Sequence, residues 1–163
     1  MLLRRVAELS LGREARERGV DLFKTLSAYN LGLWFDGRVA KLALSLDPPA
    51  VALVSVDGEA AIYSAEPADA GELEERLLGS LGLLEDAGEF LEIASRDPLL
   101  APFAREWSGW RLRSTRLWWA LVVAVCQQNA SFRQGWSMVA RLVRLYGREV
   151  ALEGEGSATL PPT

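Results

Sequence analysis

The feature that most constrains the fold of this chain is an unbroken run of ten apolar residues at positions 117–126. At about 1.5 Å per residue, a helix of this length spans only about half of a bilayer, so the run predicts a helix buried within protein on every side. Ser114 and Thr115 are candidate N-caps, because their hydroxyls can accept from the free amides of the first turn. The polar residues 127–130 then interrupt the apolar run and predict an elbow.

A second helix is predicted after this elbow. Ser131 and Gln134 have the spacing of a capping box, in which each side chain satisfies a backbone amide of the other residue. Apolar and aromatic residues then fall at helical spacing on one face: Phe132, Trp136, Val139, Val143 and Tyr146. Arginines occupy the other faces, and Gly147 is a suitable stop. The segment therefore predicts a buried helix, an exposed amide-rich turn and an arginine-bearing helix.

Composition limits the chemistry that the chain can support. Of its 163 residues 50% are hydrophobic, enough to bury a core, and no stretch has the length of a membrane span, so we expect no membrane partner. The absence of histidine removes the commonest general base and metal ligand, and we assign no catalytic residue, metal ligand or cofactor. The single cysteine, Cys126, fits a reducing cytoplasm. Sixteen of the eighteen basic residues are arginine, a bias that fits a thermophile.

Charge is distributed unevenly along the chain. Residues 105–148 contain eight Arg and one Glu, a local balance of +7, whereas the rest of the chain has a balance of −11. Such asymmetry indicates an anionic partner, such as nucleic acid, for the basic segment. Alternatively, the basic segment faces the acidic one across a domain contact, and both interpretations stay open because a count of arginines does not show which faces are solvated.

The first region, residues 1–19, predicts an N-terminal helix. Leu2, Val6 and Leu9 fall on one helical stripe in this region. A run of mixed charge follows them, which is typical of a solvated helix at the edge of a domain. We therefore expect this region to pack at the periphery and to have no further role.

The second region, residues 20–84, predicts an antiparallel β-sheet domain with a following helix. Leucine alternates with other residues over 41–46, as in a half-buried strand. Asp-Gly pairs at 36–37 and 57–58 suit type I′ hairpin turns, because glycine readily adopts the positive φ that such turns require. We expect four or five strands, followed by a helix that begins with an acidic capping box formed by Asp69 and Glu72.

The remaining chain divides into residues 85–148, a predicted helical domain, and residues 149–163. The latter are rich in Gly, Ser and Pro, which predicts a flexible tail or linker. As a whole the sequence predicts an α+β chain: a small antiparallel β-sheet as N-terminal domain, followed by an α-helical bundle. The core of that bundle is expected to be the apolar helix over 117–126.

The stretch LWWALVVAVCQQNAS, followed by WSMVARLVRLYG, resembles the helix-hairpin-helix (HhH-GPD) DNA glycosylase superfamily. This group holds the 3-methyladenine, 8-oxoguanine and endonuclease III-type enzymes of base-excision DNA repair. The preceding DPLLAPFAREWSGWRLR is similar to the same family's approach to this helix. The resemblance covers residues 85–147, and the small sheet over 20–65 is similar in architecture to the N-terminal domain of the 3-methyladenine and 8-oxoguanine branches.

The resemblance implies a role in DNA repair for the turn. In that superfamily a loop after a buried helix enters the minor groove, and one loop residue fills the gap left by a flipped-out base. By its position in the turn, Asn129 is that residue here, although an asparagine also simply tolerates a left-handed turn. Gln127 and Gln128 either contact the strand beside the lesion or cap the carbonyls of the first helix.

Basic residues around the turn are candidates for contacts with DNA phosphates. Arg133 and the amides that follow Ser131 lie at a helix N-terminus, where phosphate is favoured, although Arg133 can equally be a solvated arginine. Arg113 and Arg116 either grip phosphates or pair with the glutamate-rich helices. We therefore expect damaged double-stranded DNA as the partner.

The sequence also departs from the family. The hairpin motif and the catalytic Asp of the superfamily should follow this region, as should the Lys of some branches. The chain has no Asp after Asp97 and no Lys after Lys41, so neither group can be assigned. We expect the front half of a glycosylase, either truncated or one subunit whose catalytic half is a second chain, inactive by itself. The alternatives are a non-enzymatic helix-turn-helix DNA-binding module and a protein-interaction module.

Overall fold

The computed structural model describes residues 1–28, 34–67 and 69–163. Six strands lie in these residues: β1 Leu2–Ser10, β2 Val39–Leu46, β3 Pro49–Ser55, β4 Glu59–Ser64, β5 Arg148–Leu152 and β6 Glu155–Leu160. Seven helices accompany them: α1 Gly12–Glu17, α2 Leu22–Ser27, α3 Ala70–Ser80, α4 Gly88–Arg96, α5 Ala101–Trp107, α6 Leu117–Gln127 and α7 Phe132–Tyr146. None of these helices combines the length and apolar character that crossing a membrane requires.

The six strands form one mixed sheet in the order β2-β3-β4-β1-β5-β6. Strand β1 is central in this order, antiparallel to β4 and parallel to β5. The α+β class is confirmed, but the sheet is larger than predicted and not purely antiparallel. Residues 20–65 supply three of its strands, and the rest come from the two ends of the chain.

The helix predicted over residues 1–19 is wrong for residues 2–10. These residues form β1, whose backbone bonds to β4 and β5 and whose Leu3 is fully buried. Only the short α1 follows it. Because the partner residues of β1 lie 49 or more positions away along the chain, the helical spacing of the apolar residues could not reveal this pairing.

The flexible tail predicted over residues 149–163 is also wrong. Its residues form the β5–β6 hairpin, and Gly154 has a positive φ of 74° in the connecting turn. Four of its apolar side chains are buried: Val150, Leu152, Ala158 and Leu160. The glycines that suggested a linker thus belong to a tight hairpin turn and to a strand.

Side chains tie together the two edges of the curved sheet. Lys41 on β2 donates to the carbonyl of Ser157 on β6, and the Trp34 indole N–H donates to the carbonyl of Thr159 at 2.8 Å. Arg148 donates in turn to the carbonyl of Leu46. These contacts satisfy backbone groups that an open sheet edge would expose.

The two faces of the sheet bury separate cores. One core lies against α1, α2 and α3, and its fully buried members include Leu26, Ile62 and Leu77. The other lies within the curve closed by the edge contacts, and it consists of Leu3, Val51, Tyr63, Val150, Leu152, Ala158 and Leu160. Burial raises the pKa of the Tyr63 hydroxyl. The second core therefore depends directly on the C-terminal hairpin.

Both predicted Asp-Gly pairs lie in turns, with positive φ at Gly37 and Gly58. The turns are not type I′, because that type needs positive φ at both central residues, and neither Asp has it. Instead, Gly58 donates to the carbonyl of Ser55, as in a three-residue loop that ends in a left-handed glycine. The Asp36 carboxylate accepts from two backbone amides, which lowers its pKa.

Helix α6 does not begin as predicted. Arg116 occupies its N-cap position without a side-chain cap, so the prediction that Ser114 or Thr115 caps this helix is wrong. The hydroxyl of Ser114 donates to the carbonyl of Gly79 at the end of α3 instead. By contrast, one half of the capping box predicted for α3 is confirmed, since the Asp69 carboxylate accepts from the Gly71 amide at 2.9 Å. The other half is not found, because the Glu72 carboxylate accepts from Arg76 instead.

Burial of α6 on every side is likewise wrong. Trp119 and Cys126 are buried against α7, but four other apolar residues of α6 are 52–76% exposed: Leu117, Trp118, Leu121 and Val125. Trp34 meets Trp119 edge to face at 6.1 Å and connects α6 to the sheet. The described helices α6 and α7 therefore pack as a pair with one uncovered side.

Gly135 allows α6 and α7 to approach closely. A Cβ at this position would lie 2.2 Å from Oε1 of Gln127 and 2.9 Å from the carbonyl oxygen of Cys126. Both distances are shorter than a normal contact between a non-bonded carbon and oxygen. The Cys126 carbonyl belongs to the backbone of α6, so it cannot move aside as a side chain could. The pair is therefore held at a separation that only glycine permits.

We expect Leu160→Ala to destabilise the protein by about 2–5 kcal/mol, because a fully buried leucine would leave a cavity in the second core. Urea denaturation measures this loss. Leu2→Ala is the matched control, since Leu2 is 54% exposed and its truncation should change the unfolding free energy by less than about 0.5 kcal/mol. Equal, small effects at both positions would contradict the ordered C-terminal hairpin.

We expect Gly135→Ala to destabilise the protein by about 1–3 kcal/mol, because the added methyl group forces α6 and α7 apart. Adding Gln127→Ala should recover only the part due to the glutamine side chain, since the Cys126 carbonyl remains in place. Gly156→Ala is the control, because nothing lies within 4 Å of a Cβ there. Thermal unfolding of the wild type, the two single variants and the double variant measures these effects. An unchanged unfolding midpoint for Gly135→Ala would contradict the close helix contact.

Candidate functional site

Asn129 lies exposed on the short turn between α6 and α7. Its φ is +54°, in the left-handed region that asparagine adopts more readily than most residues. Gln128 precedes it, also exposed, and its amide bonds to the carbonyl of Val125 to close α6. The turn therefore exposes an amide side chain to solvent between the two helices.

The start of α7 carries the predicted capping box. The Ser131 hydroxyl accepts from the Gln134 amide, and the Gln134 side chain accepts from the Ser131 amide at 3.0 Å. Arg133 is exposed in the first turn of this fifteen-residue helix. Positive charge beside the positive end of a helix dipole favours an anion at this position.

Gln127, the last residue of α6, is half-buried beside the turn. Its Nε2 is shielded from solvent and has no hydrogen-bond partner among the described residues. The predicted role of this amide group in capping carbonyls of α6 is thus not found. A buried amide donor without a partner costs free energy, which is recovered when a ligand accepts from it.

A cavity of about 610 Å³ lies between the helix pair and the sheet. Its walls are largely aromatic and aliphatic, with a few polar groups, which is the usual character of a small-molecule site. Its most prominent wall residues are Trp34, Lys41, Arg113, Trp119, Gln127, Phe132 and Trp136. Because Gln127 and Phe132 stand on either side of the turn, the cavity and the turn form one continuous candidate site.

The arginines near the two helices, which are the predicted Arg113, Arg116 and Arg133 together with Arg111, separate into two groups. Arg113 is partly buried and donates to the carbonyl of Ala28 at 2.9 Å, and burial lowers the pKa of its guanidinium. Arg111 is buried and donates to backbone carbonyls of Ser108, Trp110 and Arg18, so it holds the connector before α6 in place. Arg116 and Arg133, in contrast, are exposed at the starts of α6 and α7.

The sequence did not predict the wall of the cavity that lies opposite α6 and α7. Trp34, Lys41 and Pro161 come from the sheet side and from the end of the chain. No local pattern marks these residues, because they meet α6 only after the sheet has curved and the C-terminal hairpin has joined it. Of the tryptophans on α6 and α7, Trp119 and Trp136 are buried, whereas Trp118 is 56% exposed.

Comparison with known proteins gives a match at the level of structure alone. No protein-family model matches this sequence, and no curated protein matches it significantly. The solved structures it resembles include 3-methyladenine DNA-glycosylase from Archaeoglobus fulgidus, with a TM-score of 0.64 and 21% identity. They also include MBOgg1 in complex with a low affinity DNA ligand, with a TM-score of 0.63 and 21% identity. The apo-form of Clostridium acetobutylicum 8-oxoguanine glycosylase/lyase has a TM-score of 0.62 and 13% identity.

These matches cover nearly all of this chain but only about half of each glycosylase chain. The alignments include 90%, 90% and 100% of this chain, but 52%, 50% and 55% of the respective glycosylase chains. The chain thus spans about half the length of the structures it resembles. Over the aligned residues, this chain has the same fold as these DNA glycosylase structures.

Proposed function

We propose that this chain is the DNA-engaging part of a base-excision DNA glycosylase, which binds damaged duplex DNA and fills the gap left by a flipped base. The observation that supports this most is Asn129, exposed at positive φ on the turn between α6 and α7 within a glycosylase fold. Extruding a nucleotide costs a few kcal/mol of stacking and pairing, and a side chain inserted into the gap offsets part of it. The amide suits this role because it both donates to and accepts from the orphaned base.

The cavity beside the turn supports the same proposal. An extruded base needs flat apolar walls on which to stack and polar groups that bond its edge. Trp119, Phe132 and Trp136 line such walls, and the unsatisfied Nε2 of Gln127 offers a donor. We infer that this cavity contributes one side of the base pocket.

Phosphate contacts are assigned to the exposed arginines. Arg133 at the start of α7 and Arg116 at the start of α6 are available to a DNA backbone, together with the amides that follow Ser131. We leave Arg113 out of this surface because its guanidinium is engaged with the Ala28 carbonyl.

Cleavage of the N-glycosidic bond is proposed to depend on residues outside these 163. No Asp follows Asp97 and no Lys follows Lys41, so the acid and the amine that the resemblance implies are not supplied by the region after the turn. We propose that these 163 residues by themselves do not cut DNA, and that the catalytic residues lie either elsewhere in the same polypeptide or in a second chain.

A helix-turn-helix module that reads the major groove with α7 is less well supported. This helix buries Trp136, Val139 and Val143 against α6, and the Gln134 side chain is occupied in the capping box. Arg133 then remains as the base-reading residue of its first turn, which is too little for sequence readout.

We expect the wild-type chain to bind a duplex with an abasic site at least about tenfold more tightly than the intact duplex, and Asn129→Gly to reduce this ratio to about two or less. Glycine keeps the left-handed turn without strain, so a loss of preference reports the missing amide. Fluorescence anisotropy with both duplexes measures the two affinities.

Asn129→Ala separates the two interpretations of this residue. Alanine strains the left-handed turn by roughly 1–2 kcal/mol and also removes the amide. A gap-filling amide predicts that both variants lose the lesion preference, whereas a purely conformational asparagine predicts that only Asn129→Ala does. An Asn129→Gly variant that still prefers the abasic duplex would therefore contradict the gap-filling role of Asn129.

We expect Arg133→Ala to weaken binding to intact and abasic duplexes alike, because a phosphate contact carries no lesion information. The slope of log affinity against log salt should become shallower by about 0.9, as expected for one lost phosphate contact. Arg13→Ala on α1 is the control, since its side chain is 86% exposed and lies far along the chain from the turn. An unchanged slope for Arg133→Ala would show that this arginine is merely solvated.

A further inference from the structure

A second cavity, of about 340 Å³, lies on one face of the sheet. Residues paired across neighbouring strands project to the same side, so the strand register explains how its walls come together. Arg5 on β1 pairs with Tyr63 on β4, and Glu8 pairs with Ala61. Glu155, at the start of β6, also lines this cavity. We call it the sheet cavity; among the described residues it has no wall residue in common with the cavity beside the turn.

Carboxylates dominate the charge around the sheet cavity. Glu8, Glu59 and Glu155 line it together with one cation, Arg5, so the formal charges of its walls sum to −2. Arg5 bonds to Glu8. Within the described part of the chain, neither Glu59 nor Glu155 forms an ion pair. The sheet cavity therefore favours a positively charged ligand.

The hydroxyl of Tyr63 is an independent indication of a ligand. This residue is 1% exposed, packs in the second core and lines the sheet cavity. Burial, followed by the charge of Glu155, raises the pKa of its hydroxyl, and the charge of Arg5 opposes them. The hydroxyl thus lies near the charged walls, yet it has no hydrogen-bond partner among the described residues. A buried tyrosine hydroxyl is usually hydrogen-bonded, so this one is available to a ligand.

A metal ion fits the sheet cavity poorly. Hard cations need several oxygen ligands that converge to about 2.0–2.6 Å. In the ranges that the structure describes, no group of three or more His, Cys, Asp or Glu side chains is placed to hold a metal ion. Separated carboxylates are better matched by a cation whose charges are separated too. Leu53 and Ala61, also in the walls, suit the alkyl segments of such a molecule.

We propose that the sheet cavity binds a linear aliphatic polyamine. One ammonium group lies between Glu155 and the Tyr63 hydroxyl and donates to both, and another pairs with Glu59. Glu59 and Tyr63 are four residues apart on β4, so roughly 13 Å of strand separates the two ends of the site. This site is independent of the proposed DNA contact, because Asn129 is not part of it.

Isothermal titration calorimetry of the full 163-residue chain with spermidine at low salt tests the proposal. We expect one-to-one binding with a Kd on the order of 0.1 mM. Tyr63→Phe should weaken binding about three- to tenfold, because it removes the accepting hydroxyl and keeps the ring in the second core. Glu155→Gln should weaken binding at least about fivefold, because it replaces a charged acceptor by a neutral one.

Three controls make the result specific. Glu17→Gln on α1 changes the net charge by the same amount at a position that is 70% exposed and outside the sheet cavity, so it should bind spermidine as the wild type does. Without ligand, Tyr63→Phe should unfold at the wild-type temperature, because the hydroxyl has no bond to lose. The monoamine 1-aminobutane should bind at least about tenfold more weakly than spermidine.

Several results would overturn the proposal. No binding up to about 10 mM spermidine, or full affinity in either Tyr63→Phe or Glu155→Gln, would show that the sheet cavity is not the site. An equal loss in Glu17→Gln would show a non-specific effect of net charge. Equal affinity for 1-aminobutane would assign the site to a single ammonium group, such as a lysine side chain. Displacement by magnesium chloride beyond that by sodium chloride of equal ionic strength would assign it to a metal ion.

Discussion

The close contact between α6 and α7 at Gly135 governs the shape of the candidate site. It fixes the separation of the two helices, and with it the direction in which the turn between them points. Trp119 continues this contact to the sheet, because its ring meets Trp34 edge to face while the Trp34 indole bonds to the Thr159 carbonyl on β6. The turn, the helix pair and the C-terminal hairpin are therefore mechanically connected, although they are distant in sequence.

What the sequence predicted well depends on neighbouring residues. The capping box at Ser131 needs only residues three apart, and the turn before it needs only a polar interruption of an apolar run. The prediction for residues 1–19 failed because β1 pairs with strands far along the chain, which local spacing does not reveal. The prediction for residues 149–163 failed because Gly, Ser and Pro are typical of linkers, whereas here β5 and β6 pair with each other across Gly154 and β5 joins the sheet through β1.

The candidate site shows the same division. The positions of Asn129 and Arg133 on the surface follow from the helix–turn–helix pattern, whereas the inward direction of Arg113 depends on the Ala28 carbonyl brought to it by the fold. The cavity could not be predicted from the sequence, because its walls combine residues from β2, from the connector before α6 and from Pro161. A buried amide such as Gln127 Nε2 becomes informative only when its surroundings are known, since the same glutamine on a solvated helix would need no partner.

The apolar run of α6 has two faces with different surroundings. One face packs on α7 through Trp119 and Cys126, and the turn that carries Asn129 follows directly at the end of this contact. The opposite face is largely exposed, so the contact with α7 and the edge-to-face contact of Trp119 with Trp34 set the orientation of α6 and of the turn. For the proposed gap-filling role of Asn129, a turn that is already ordered by this packing loses little further conformational entropy when DNA binds, which is the general advantage of preorganisation.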